Sequence, residues 1–258
     1  MSFGESASVS DWDPTRFQRG GDLSPTALIR IKMDLKKFYL DPPQGICVAP
    51  SGDDLGRIFA LISGPPDTPY EGGFFLFLIA FPNDYPLSPP RVKILNTDGG
   101  TVRFGPNLYA NGKVCLSIIG TWSGPQWTPT QNLSTVLVSI QSLMNSEPYY
   151  NEPGFENRRE PKASATYNEI IKHETLRCAV CDVLERRIAF PDDIFEIVKH
   201  NFVEQYEDYV QICKMNSAKN GLRMNDPFGG CRGLFGFTAI LNRLQTLKSK
   251  LLDKSDNH

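Results

Sequence analysis

An α+β domain with a helical extension is the fold class this sequence predicts, on three observations. An apolar stripe at helical spacing, with a capping residue before it, opens at Ser24. Four strand-length runs follow, broken by short turns rich in proline and glycine. From about Tyr167 to the end the pattern is helical. Runs joined by short turns pair as an antiparallel meander, and helices segregated on either side of it make the class α+β. The expected division is a flexible arm over 1–23, a core over 24–160 and a helical extension over 161–258 packed on that core.

The elements follow in order. Residues 1–23 are rich in Ser, Gly and Asp and carry no period, as a loose arm does. Ser24-Pro25 reads as an N-cap and first helical residue, where the N–H that proline lacks would be unpaired anyway. Leu28, Ile31, Leu35 and Phe38 share a helical face; Arg30, Lys32, Lys36 and Lys37 leave the others basic, and Asp41-Pro42-Pro43 stops the helix. Strand-like runs lie at Ile46–Val48, Ile58–Ile62, Phe74–Phe81 and Arg91–Leu95, separated by turn clusters such as GPPDTPYEGG and PNDYPLSPP. Thr128-Pro129 repeats the cap-plus-proline signal, and Leu133, Val136, Leu137, Ile140, Leu143 and Met144 form the stripe of a helix ending near Pro148. In the extension, helices are expected over Tyr167–Arg187, from the acidic pair Asp192-Asp193 to about Met215, and over Thr238–Leu252 after a loop containing MNDPFGG. Phe195, Val198, Phe202 and Tyr206 have the spacing of a face packed on the core.

The 258 residues are 40% hydrophobic and 22% charged, enough to bury a large core. A formal net charge of -2 provides no global basic field, and the longest apolar run, FFLFLIAF, has strand length. Neither nucleic acid nor a membrane is therefore an expected partner. The start MSFGESASVSDWDP has no basic stretch followed by an apolar one, so no secretory signal is expected. Six cysteines are too sparse for a disulfide scaffold and are expected as reduced thiols in cytoplasm and nucleus. Cys178-Ala-Val-Cys181 lies in a helical pattern without a second pair, which reads as packing; no metal or cofactor is expected.

The segment FGPNLYANGKVCLSI holds Cys115. Val114-Cys115-Leu116 suits a buried core strand, since cysteine is among the residues most often buried. A hydrolytic cysteine needs a histidine to take its proton, and His173, His200 and His258 all lie in the extension. A thiol without a base still serves one chemistry, the exchange of one thioester for another, because the leaving group is itself a thiolate. The product must then resist water and wait for an amine, and a nearby base would promote its hydrolysis. The second step needs a donor for the oxyanion, which an Asn amide supplies without titrating. Asn107 lies eight residues before Cys115, with Asn111-Gly112 as a turn between them.

Pro106-Asn107 followed by Cys115-Leu116 at that spacing resembles the active-site segment of ubiquitin-conjugating enzymes. Gly64-Pro65, Tyr70-Glu71-Gly72-Gly73, Phe81-Pro82-Asn83-Asp84-Tyr85-Pro86, Pro89-Pro90 and Trp127-Thr128-Pro129 resemble the flanking motifs of the same family, in order, over about 27–155. Within it, Asn151-Glu152-Pro153-Gly154-Phe155-Glu156 and Asp226-Pro227-Phe228-Gly229 resemble the Z-type branch, whose members carry a long helical C-terminal extension. Giant hybrid conjugating enzyme-ligases share much of the cysteine segment and rank lower. Two departures stand out: the usual His-Pro-Asn tripeptide is Gly105-Pro106-Asn107, which bears on how the loop is held, and Ile119–Trp127 is longer than in small members.

The resemblance implies the ubiquitin-conjugating fold and a transferase. Cys115 would accept ubiquitin or a ubiquitin-like modifier as a thioester from an activating enzyme, here the divergent second type, with ATP consumed upstream. Asn107 would stabilise the oxyanion or order the loop, and Glu152 would orient the incoming lysine, where the bland alternative is a solvated carboxylate. Tyr149 and Tyr150 would line the same cleft or pack there. Arg30, Lys32 and Lys36 match the face that meets the activating enzyme; Pro86, Leu87, Thr128, Pro129 and Thr130 match the loops that contact ligases. The rival reading is a catalytically silent ubiquitin-binding scaffold of the same fold, which Gly105 favours and Cys115 with Asn107 opposes.

Overall fold

The computed structural model describes residues 12–255. Helix α1 (Pro25–Leu40) opens as its sequence requires, with the Ser24 hydroxyl accepting from the Ala27 N–H at 3.1 Å, and it turns Ala27, Ile31, Leu35 and Phe38 inward. Strands β1 (Ile46–Ser51), β2 (Asp54–Ser63), β3 (Phe74–Ala80) and β4 (Arg91–Ile94) pair antiparallel in sequence order. Every residue of β3, FFLFLIA, is buried. Phe75, Phe77 and Ile79 join the core under α1 and α2 (Leu133–Leu143), whereas Phe74 and Leu76 join a second core formed with the extension. Both faces of the sheet are thus covered, which is why this strand is apolar throughout instead of alternating.

The covering layer consists of α3 (Pro161–Glu174), a π-helical segment (Thr175–Asp182), α4 (Asp192–Met215), a hairpin of β5 (Arg223–Asn225) and β6 (Cys231–Leu234), and α5 (Phe237–Ser255). The single helix expected over Tyr167–Arg187 starts earlier, at Pro161, and changes pitch at Thr175. Val198, Phe202 and Tyr206 are buried as their spacing implies, while Phe195 is only half-buried, beside Phe190 and the Arg186 guanidinium. Cys178 and Cys181 are buried in the π-helical turn, in keeping with packing.

Two expectations are corrected. The arm expected to be loose over 1–23 is docked where it is described. Arg57 donates to the carbonyls of Pro14 and Phe17 at 3.1 and 3.0 Å, Lys93 pairs with Asp13 at 2.6 Å, and the Arg91 guanidinium lies 3.8 Å from the centre of the Phe17 ring. Polar side chains of β2 and β4 hold this segment, a kind of contact that leaves no period in the segment's own sequence. Residues 1–11 of that arm lie outside the described residues. The second correction concerns Thr128-Pro129, which does not start a helix. Helix α2 begins after Asn132, whose side chain accepts from Thr135 N at 2.9 Å. The carbonyls of Pro129 and Gln131 are taken by the Arg30 guanidinium, so the preceding turn stays out of the helix.

Candidate active site

The chain between β4 and α2 folds back on itself, with bridges pairing Leu108 to Val114 and Lys93 to Lys113. The turn requires glycine at 112: its φ is +91°, and a Cβ there would meet the Ile94 carbonyl oxygen at 2.7 Å. This reversal sets Asn107 beside Cys115. The Cys115 N–H donates to the Asn107 carbonyl at 2.8 Å, and Asn107 Nδ2 donates to the Cys115 carbonyl at 3.2 Å. Asn107 is 8% exposed, and its Oδ1 is buried without a hydrogen-bond partner among the described residues. A buried unpaired acceptor is destabilising, so this amide orientation is retained against a cost. On the other flank, the Thr121 hydroxyl accepts from Leu116 N at 2.9 Å and lies 2.6 Å from the Val114 carbonyl.

Cys115 is largely buried. Burial pushes its thiol pKa up; Lys113, the Tyr109 hydroxyl and Arg103 pull the other way without reversing the shift. The thiol is therefore not a preformed thiolate. Nor does either described histidine serve it. His173 Nε2 accepts from Gly236 N at 2.9 Å, so Nδ1 carries the proton and donates to Glu174 at 3.0 Å. His200 pairs with Glu204 at 3.3 Å along α4. His258 lies outside the described residues. A cysteine hydrolase has no base here among the described residues.

Arg103 organises the rest of the loop. Its Nε donates to the Gly105 carbonyl and its Nη2 to the Pro106 carbonyl, each at 2.9 Å, and its guanidinium lies 4.6 Å from the centre of the Tyr109 ring. Glu152 Oε2 accepts from Arg103 Nη2 at 3.2 Å, so this half-buried carboxylate is anchored to the loop instead of standing free in solvent. Tyr149 and Tyr150 pack: Tyr149 is 2% exposed, donates to Glu160 at 2.5 Å and touches the rings of Phe155, Tyr167 and Phe228. Tyr150 accepts from Glu160 N at 3.3 Å and meets the edge of Tyr149. Sequence reasoning missed Arg103, Tyr109 and Thr121, because no spacing rule marks residues that act by hydrogen-bonding a carbonyl, as Arg103 and Thr121 do, or by ring and thiol contacts, as Tyr109 does.

A family profile described as Ubiquitin-conjugating enzyme matches residues 30–173. The chain belongs to the ubiquitin-conjugating enzyme family. It is similar to Ubiquitin-conjugating enzyme E2 Z of Homo sapiens, 49% identical over 253 residues that cover 97% of this chain and 72% of that protein. The same protein of Danio rerio is 49% identical over 248 residues, 95% of this chain and 76% of the relative. Dual E2 ubiquitin-conjugating enzyme/E3 ubiquitin-protein ligase BIRC6 of Homo sapiens is 44% identical over 162 residues, 58% of this chain but 3% of that protein. The protein is a transferase that acts as a ubiquitin-conjugating enzyme, and the silent scaffold is not favoured. Enzymes of this kind work with ubiquitin, an activating enzyme and ligases.

The residues expected to face those partners fall into two groups. Lys32 and Lys36 are exposed on α1, beside Ile29 and Met33, which are 60% and 50% exposed. Arg30 is not part of that free face. It donates to Pro129 and Gln131 carbonyls and pairs with the buried Asp34 at 2.8 Å, because two carbonyls and a carboxylate converge on a guanidinium fork that matches them. Leu87 is 72% exposed, and Thr128, Pro129 and Thr130 are exposed as well. The Trp127 indole ties the two loops together by donating to the Pro86 carbonyl at 2.7 Å. The long Ile119–Trp127 insertion is therefore anchored at its far end.

Proposed function

We propose that Cys115 carries the modifier and that Asn107 serves its transfer. In the first step the Cys115 sulfur attacks the modifier's thioester on the activating enzyme. A carbon–sulfur bond to Cys115 forms, the one to the activating enzyme breaks, and the Cys115 proton ends on the departing thiol. In the second step a substrate lysine amine attacks the Cys115 thioester. The tetrahedral oxyanion collapses to an isopeptide, expels the Cys115 thiolate, and the amine's proton passes to that thiolate. Asn107 Nδ2 carries two hydrogens; one is committed to the Cys115 carbonyl, and the other is the oxyanion donor. Glu152, anchored by Arg103, orients the lysine ammonium. The observation that supports this reading is the Asn107–Cys115 pair itself: a buried thiol with its pKa raised, an amide donor alongside, and no histidine among its described partners.

The finer partners belong to the same proposal. The divergent second activating enzyme charges Cys115, with ubiquitin or a ubiquitin-like modifier as cargo. Lys32 and Lys36 speed its encounter, and Leu87 with Pro86, Thr128, Pro129 and Thr130 forms the ligase contact. The enzyme works in cytoplasm and nucleus, with neither nucleic acid nor membrane as partner, and 24–160 is its catalytic core with 161–258 as a packed extension. Charging reactions with ubiquitin, ATP and each of the two ubiquitin-activating enzymes test the assignment. Charging by the divergent enzyme and not by the common one supports it; the reverse pattern removes it.

A further inference from the structure

We propose that the hairpin of the extension is a positioning device for the active-site loop, with Arg232 and Phe228 acting on Asn107 and Cys115 through Arg103. This rests on the reading of Cys115 as the carrier. Around Asn107 the loop closes on itself through main-chain groups, with Phe104 N donating to the Leu108 carbonyl at 3.0 Å and Leu108 N to the Gly105 carbonyl at 3.1 Å. Gly105 has no side chain, and the side chains that fix this turn in place are the Tyr70 hydroxyl, which donates to the Phe104 carbonyl at 2.7 Å, and the Arg103 fork on the Gly105 and Pro106 carbonyls. Arg103 is therefore the hub, and the hairpin grips it twice. Arg232 Nη1 donates to the Arg103 carbonyl at 2.5 Å, across 129 residues of sequence. The Phe228 ring lies 5.9 Å from the Arg103 guanidinium and is stacked on Tyr149 at 5.0 Å, with Phe155 and Tyr167 on its other sides.

The hairpin tip is built rigidly enough to transmit position. Asp226 Oδ1 accepts from Phe228 N at 2.8 Å, its Oδ2 pairs with Arg232 Nε at 2.5 Å, and Gly229 N returns to the Asp226 carbonyl at 2.8 Å. The ion pair is largely buried, with side-chain exposures of 14% and 8%. Burying two charges is unfavourable unless the geometry repays it, and a simple surface hairpin has no need of it. The order of contacts runs from Arg232 and Phe228 to Arg103, from Arg103 to Gly105 and Pro106, and from there to Asn107 and Cys115. This gives Asp226-Pro227-Phe228-Gly229 a role in the chemical step that its distance in sequence conceals.

The test uses the full chain, charged on Cys115 and then mixed with free lysine over a range of concentrations. Arg232→Gln and Phe228→Ala are expected to lower the maximal discharge rate by about tenfold or more, the scale of a misplaced catalytic geometry, with the half-saturating lysine concentration unchanged. Charging slows far less, and Phe228→Tyr restores discharge. Discharge within about twofold of wild type in both variants would overturn the proposal, whatever their melting temperatures, since that factor is far below a positioning effect. If Arg232→Gln does not fold, Phe228→Ala and its Tyr rescue decide alone. If the wild-type protein takes no modifier, the carrier reading has failed and alkylation of Cys115 by iodoacetamide decides the hairpin's role. Its pH profile moves in Phe228→Ala if the hairpin holds the loop and stays in place if it does not.

Discussion

Asn107 and Cys115 are joined twice, main chain to main chain at 2.8 Å and side-chain amide to main-chain carbonyl at 3.2 Å. The second bond uses one amide hydrogen, and the proposed mechanism assigns the other to the oxyanion. Asn107→Ala is therefore expected to keep charging of Cys115 but to slow discharge onto lysine by about 10²-fold, as loss of one oxyanion donor does. Single-turnover gels that follow the two steps separately check this. Equal loss in both steps would make Asn107 a loop-former alone.

The buried thiol predicts a pH dependence. Burial raises the Cys115 pKa, so the thiolate fraction is small at neutral pH and grows as pH rises towards that raised value. Iodoacetamide should alkylate Cys115 more slowly than a free cysteine at pH 7, with the rate climbing about tenfold per pH unit through the alkaline range. The Tyr109 hydroxyl pulls the pKa down, so Tyr109→Phe should move the profile to still higher pH.

Arg30 and Lys36 should separate cleanly. Arg30 braces Asp34, which also accepts from the Tyr85 hydroxyl at 2.5 Å and is buried. Arg30→Ala leaves that carboxylate with one partner fewer, at a cost of about 2 kcal/mol. A drop in Tm of about 5 °C follows for a chain of this size. Lys36→Glu should leave Tm in place and slow charging, most at low salt. Calorimetry alongside charging rates at two ionic strengths distinguishes the two residues.

Much of this architecture was legible in the residues, and the parts that were not share a cause. Ser24 caps α1 and Ile31, Leu35 and Phe38 line it because capping and helical period are local rules. The eight-residue spacing across the Asn111-Gly112 turn points to Asn107 and Cys115 as neighbours, and the structure brings them into contact. Most of what escaped acts across the chain: Arg30 holding the Thr128–Gln131 turn out of α2, Arg57 and Lys93 pinning residues 13–17, and Arg103 anchoring Glu152. Each is an arginine or lysine bound to distant carbonyls or carboxylates, and such contacts follow from the fold, not from spacing.

Acid should destabilise the extension through Glu174. Burial pushes its carboxyl up, but the hydrogen bond from His173 and the Arg177 guanidinium outweigh that and hold it below the ordinary glutamate value. A folded pKa below the unfolded one adds stability that is present above the unfolded value and lost as pH falls through the folded one. Melting curves from pH 7 to about 3 should therefore show an acid limb that Glu174→Gln flattens, together with lower stability at neutral pH. An unchanged limb would place the acid sensitivity elsewhere.

Glu152 offers a sharper test of lysine activation. Its carboxylate is anchored to Arg103 at 3.2 Å, next to the loop that carries Tyr109. Glu152→Ala should slow discharge to free lysine most at neutral pH, where the amine is protonated, and converge on wild type as pH approaches the lysine pKa. Equal rates across the whole pH range would remove that role.

The most direct measurement is a non-reducing gel of the protein with ubiquitin, its activating enzyme and ATP, run for wild type, Cys115→Ala and Cys115→Ser. Cys115 as carrier predicts a thiol-sensitive adduct in wild type, none in the alanine variant, and in the serine variant an ester that survives thiols and yields to hydroxide. A thiol-sensitive adduct that persists in Cys115→Ala would contradict it.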